Sequence, residues 1–181
     1  MHRIYVRFLI TVLASTAAGF SAQAQTAPPI KPGLWQIHSE REVNGQKQPD
    51  ASERMKSMSP EKRAQIEAMM KQHGVGSGAA GMGQVCYTRE TLARSPWADQ
   101  QTACKTVFNS RSAASWKWHT SCPGSSYEAD GEAIFSDHEN YTVKSTSVSK
   151  IGDKVRNSQT TITAKWLGSD CGGLKPLDPK P

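Results

Sequence analysis

The sequence predicts a mainly β protein: a single antiparallel curved sheet or small β-barrel of about six to eight strands, with one inserted helix and two disulfides. Three observations predict it. Period-two alternation begins at residue 33 and returns from 84 to 166, with Ser, Thr, Trp, Tyr and Val at the strand positions. Turn signals at Asn44-Gly45, at SDHEN (136–140) and at Gly152-Asp153 cut that pattern into short lengths. Four cysteines, at 86, 104, 122 and 171, are an even number suited to two bridges in an oxidising compartment.

The first element is not part of the fold. Arg3 and Arg7 precede an apolar run from Phe8 to Phe20, too short to span a bilayer, and Ala22-Gln23-Ala24 follows. Residues 1–24 therefore read as a secretory signal peptide cleaved after Ala24. The expected location is the periplasm of a Gram-negative bacterium or the medium outside it. No cysteine follows the apolar run to take a lipid, and no transmembrane segment is expected after cleavage. The remaining 157 residues suffice for one domain with its own core. Losing two arginines lowers the formal charge from +6 to +4, and the Lys and Arg are scattered. Nucleic acid is thus excluded as a partner class.

Residues 25–32 form a Pro-rich leader, expected to be extended and mobile. In GLWQIHSEREV (33–43), Trp35, Ile37 and Val43 share one strand face, and His38, Glu40 and Glu42 the other. Residues 46–83 then interrupt the β pattern and read as an insertion between the first two strands. Ser59-Pro60-Glu61 supplies an N-cap, an N1 proline and a first-turn acid, and Gly74 stops the run, so 60–73 is a helix. GVGSGAAGMG (74–83), with five glycines, reads as a flexible link.

The chain is strand-rich from 84 onward. Gln84–Tyr87 is a short strand, and Thr88 can cap a helical turn that runs to Ala93 and is ended by Pro96. In CKTVFNSRSAASWKWHTSC (104–122) a hairpin centred on Ala113 sets Cys104 opposite Cys122 and Phe108 opposite Trp118. Opposed residues at a non-hydrogen-bonded site have Cα atoms about 4.5 Å apart, within disulfide reach. Four cysteines allow three pairings; this geometry favours Cys104–Cys122 and leaves Cys86–Cys171. Residues 126–166 resolve into three strands, and a turn at Gly152-Asp153 pairs Val143 with Ile162 and Tyr141 with Ala164. The β-rich domain thus runs from 33 to 172, and residues 173–181 read as a disordered Pro- and Lys-bearing tail.

KPGLW at 31–35, Cys86-Tyr87-Thr88, the Cys104…Trp118…Cys122 hairpin and Trp166-Leu-Gly-Ser-Asp-Cys171 occur in that order. With them the chain resembles the bacterial exported family called domain of unknown function 3617, over roughly residues 30–172. The resemblance implies a small exported β-rich domain, and it carries over no catalytic residue.

Chemical motifs are sparse. Gly76, Gly78 and Gly81 fit G-x-G-x-x-G, but a helix precedes them and a strand follows, the reverse of a dinucleotide loop. There is no G-x-S-x-G and no H-E-x-x-H, so a hydrolase is the least favoured class. No cofactor is expected. Every methionine after the leader falls between 55 and 82; Met55-x-x-Met58 and Met69-Met70-x-x-His73 offer thioether and imidazole ligands, and Met69, Met70 and His73 could give a soft-ligand set for Cu(I). The competing reading makes methionine an adaptable filler beneath a helix. Trp35, Trp116, Trp118, Tyr141 and Trp166, with Phe108, could line a curved sheet that holds an apolar ligand. Alternatively they fill the interior themselves, as small barrels do. The function expected from these observations is that of an exported, non-enzymatic envelope protein, with a small apolar ligand or an envelope component as its partner. Soft-metal binding by the Met/His insertion is the alternative.

Overall fold

The computed structural model describes residues 27–78, 82–94 and 104–177. The signal peptide and its cleavage site, Pro96, and residues 178–181 lie outside these. The first strand, β1 (Gly33–Val43), opens with a residue that only glycine can supply. Gly33 has φ +132°, and a Cβ there would stand 2.2 Å from the Gly168 carbonyl oxygen. The Asn44-Gly45 turn returns the chain through β2 (Gln46–Lys47), paired Val43↔Gln46.

Two helices follow. Asp50 accepts from the Glu53 amide while the Glu53 side chain accepts from the Asp50 amide, a reciprocal box that starts α1 (Ala51–Lys56). Ser59 caps α2 (Pro60–Gln72) as the sequence predicts, and no residue of α2 is fully buried. Next come β3 (Val75–Ser77), β4 (Gly83–Tyr87) and α3 (Arg89–Ala93), the last capped by Thr88. The remaining strands are β5 (Lys105–Arg111), β6 (Ser115–Cys122), β7 (Tyr127–Phe135), β8 (Asn140–Ile151) and β9 (Lys154–Gly168).

These strands build one antiparallel sheet in the order β3-β4-β1-β9-β8-β7-β6-β5, with β2 attached to β1. The sheet is open rather than closed into a barrel, and β3 and β5 are its two ends. Nine strands form instead of six to eight, because β2 and β3 are too short to show a period. The expected registers hold: Phe108↔Trp118, Val143↔Ile162 and Tyr141↔Ala164. A register shift after Phe108 then sets Ser110 opposite Lys117. Both disulfides are as expected, Cys104–Cys122 with Cα atoms 4.2 Å apart and Cys86–Cys171 with Cα atoms 5.6 Å apart.

Four segments differ from the sequence reading. The insertion holds a second helix, α1, before the one expected. The Gly-rich link contributes a strand, since Val75 pairs with Val85 and Ser77 with Gly83. The leader packs over its described part: Ile30 is in the core, and the Lys31 amide donates to the His138 carbonyl at 2.9 Å. The closing segment is docked rather than loose up to Leu177, whose amide donates to the Cys86 carbonyl at 2.8 Å, and Leu177 packs against the core. Single apolar anchors do this work, and one anchor among prolines carries no periodic signal.

Candidate functional site

The core face of the sheet is filled by its own aromatic side chains. Trp35 and Trp116 have no exposed surface and Tyr141 retains only 2%. Trp35 packs on Tyr141 with centroids 5.1 Å apart, and the hydroxyls of Tyr87 and Tyr141 meet at 3.0 Å. Trp116 meets Phe108 and Phe135 edge-on, at 5.7 and 5.9 Å. Indole N–H groups are satisfied locally: Trp35 donates to the Lys31 carbonyl and Trp116 to the Ser112 carbonyl. Trp118 lies over Gly131, where a Cβ would stand 2.2 Å from the indole ring. Trp166, half-buried, donates to the Pro32 carbonyl at 3.1 Å under the Lys31 ammonium. The five aromatics that the sequence offered either as lining for a ligand or as filler are packed against one another, against backbone or beneath a lysine. Arg111 closes the stack, its guanidinium 3.7 Å from the Phe108 ring centre.

Open apolar space lies elsewhere, between the insertion and the β3–β4 end of the sheet. Met55 from α1, Arg63, Glu67 and Met70 from α2, the backbone of Gly76–Gly78, and Met82 with Gly83 line a groove of about 210 Å³. Local sequence explains each wall. The Asp50 box fixes where α1 starts, and the Arg63 guanidinium Nε donates to the Met55 carbonyl at 3.2 Å, tying α2 to the end of α1. On the sheet side the lining residues are small: Gly76 and Ser77 of β3, Gly78 after it, and Gly83 of β4. Met55, Met70 and Met82 are half-buried, which leaves them reachable from solvent.

The expected soft-ligand set does not share this site. Consecutive helical residues are about 100° apart around the axis, so Met69 and Met70 cannot face the same way. Met69 is 53% exposed, and His73 is exposed at the C-terminal cap of α2. Met70 enters the groove without them. Of the residues that join it, Met55 belongs to the Met55-x-x-Met58 pair, whereas Met82 is signalled only by the confinement of methionine to 55–82.

The histidines have other partners. On the outer face His119 holds two carboxylates, with Nδ1 2.9 Å from Asp130 and Nε2 2.9 Å from Glu128. The Asp130 hydrogen bond, followed by the two negative charges, raises its pKa above the ordinary 6.5. Ser121 donates to Glu128 rather than to the imidazole. His138 meets the Pro29 carbonyl at 2.7 Å. Among the described residues no group of three or more His, Cys, Asp or Glu side chains could hold a metal ion. No described helix is long and apolar enough to cross a membrane.

An open antiparallel sheet braced by two disulfides, with an aromatic interior and a helical insertion, defines the class: a small, mainly β domain. A family described as protein of unknown function (DUF3617) matches residues 30–171, and the chain belongs to that family. It is 32% identical over 134 residues to the "Uncharacterized protein in lpd-3 5'region" of Pseudomonas putida, covering 70% of this chain and 92% of that protein. No solved structure matches significantly.

Proposed function

We propose that this is an exported, non-enzymatic binding protein of the cell envelope that takes a small apolar ligand, or an apolar group of an envelope component, in the Met55/Met70/Met82 groove. The observation that carries this reading is the division of apolar surface: the aromatic face is filled, while the thioether-lined groove is open. Flexible, polarisable methionine side chains suit ligands of varied shape. The signal-like leader and two disulfides agree with export. All four cysteines are oxidised, and the imidazoles of His119 and His138 are engaged by carboxylates and a backbone carbonyl. These features favour binding over nucleophilic chemistry.

Titration with the neutral dye Nile red tests the reading. Met70→Glu, which sets a charge in the groove, should weaken dye binding at least about tenfold. Unchanged affinity would remove the groove as the site.

A second reading, capture of a soft monovalent cation such as Cu(I), is favoured by one observation: three methionines from three separate segments line one groove. Replacing Met55, Met70 and Met82 together by leucine separates the two. Leucine keeps the apolar surface and removes the sulfur donors. An apolar site keeps its Nile red affinity in that variant, whereas a soft-metal site loses anaerobic Ag(I) binding.

A further inference from the structure

The β8–β9 hairpin outruns its neighbours. On one side β7 pairs no further than Tyr127↔Ser149, and on the other β1 pairs no further than Val43↔Ser158. Residues 150–157 therefore project as a two-stranded ribbon with no described strand beside them. The base is held firmly. The Lys150 amide donates to the Ser126 carbonyl at 3.2 Å, the Asn44 amide to the Asn157 carbonyl at 2.9 Å, and the Asn157 amide to the Asn44 side chain at 2.9 Å.

This ribbon and its base carry three of the most exposed aliphatic side chains: Ile151 at 70%, Val155 at 53% and Val148 at 47%. Interleaved with them are Lys150, Lys154 and Arg156, and none of these cations joins an ion pair among the described residues. Asp153 at the turn is the one acid between 148 and 157. Glu128, opposite Val148, is already engaged by His119 and Ser121.

We propose that the β8–β9 tip docks on an anionic lipid bilayer, seating Ile151 and Val155 at the headgroup boundary while Lys150, Lys154 and Arg156 meet lipid phosphates. Charge complementarity selects an anionic partner. The protruding aliphatics select a bilayer over a soluble acidic polymer, because only the bilayer offers a medium for them beneath its charge. Side chains alternate between the two faces of the ribbon, Ile151, Lys154 and Arg156 on one and Lys150 and Val155 on the other, so a tip pushed into headgroups offers an aliphatic and a cation on each face beside the Gly152-Asp153 turn. The site is separate from the methionine groove and does not depend on it.

Vesicle co-sedimentation tests this with the protein recovered after export and processing, its N-terminus verified by mass as Gln25. Wild type should sediment with phosphatidylglycerol-containing vesicles and not with phosphatidylcholine vesicles, and the binding should fall as salt rises. Each cation contributes about fivefold to the partition coefficient, so Lys150→Gln/Lys154→Gln/Arg156→Gln together should weaken it by about a hundredfold. Ile151→Ser/Val155→Ser should weaken it several-fold with all charges retained. Circular dichroism and thermal unfolding of the variants verify that only the tip has changed. No sedimentation of wild type with anionic vesicles overturns the proposal, as does full binding by the triple variant. Full binding by Ile151→Ser/Val155→Ser overturns the seating of the apex in the bilayer.

Discussion

At Gly33 and Gly131 a single methyl group would collide with the fold. Gly33 combines a left-handed φ with a backbone oxygen 2.2 Å from the Cβ position, so neither rotamer change nor side-chain movement relieves an added carbon. Gly33→Ala should destabilise the protein by at least about 2 kcal/mol in urea unfolding. Gly131→Ala instead displaces the Trp118 ring, which should show in near-ultraviolet circular dichroism as a change in aromatic packing. His119 supplies a pH dependence. Its folded-state pKa is raised, so its contribution is fully present below the unfolded value of about 6.5 and is lost as pH rises through the folded value. NMR titration should place the His119 midpoint above 6.5, and Asp130→Asn should lower it. A wild-type midpoint at or below 6.5 contradicts the assignment.

Among the elements, the two disulfides differ most in reach. Cys104–Cys122 closes a span of 18 residues inside one hairpin, while Cys86–Cys171 closes 85 and fastens β4 to the segment after β9. In the chain-entropy account the longer loop is worth about 1.4 kcal/mol more. Replacing Cys86 and Cys171 by alanine should therefore lower stability further than replacing Cys104 and Cys122, as denaturant midpoints will show. Legibility in the sequence followed the strength of local chemistry. The α2 start at Ser59-Pro60, the Ala113-centred hairpin and the register of β8 on β9 all rest on caps, turns and period two, and all could be read directly. The α1 start was also written, as Asp50 and Glu53, but α1 is only six residues long and presents too few apolar positions to show a helical stripe. The docking of Ile30 and Leu177 is non-local, and nothing beside either residue in the chain announces its partner. For the candidate site the confinement of methionine was visible, whereas the choice of Met70 over Met69 depends on how α2 rolls against β3.

The whole molecule assigns its two kinds of apolar residue to different tasks. Aromatics crowd the core face of the open sheet, and methionines line the crease where the insertion meets the sheet end. The sequence left sheet or barrel, and lined or filled interior, as open pairs; the sheet is open, its aromatic face is filled, and the groove lies at its margin. Without closure there is no enclosed lumen, and the inner face must be covered by its own large side chains. Heteronuclear NMR of methyl-labelled methionine measures the consequence directly, because the five methionines after the leader report from different places. Titration with Nile red or Ag(I) should move the methyl signals of Met55, Met70 and Met82 and leave Met69 in place. Movement of Met69 with an unchanged Met55 and Met82, or of none of them while tryptophan indole signals shift, would contradict the account.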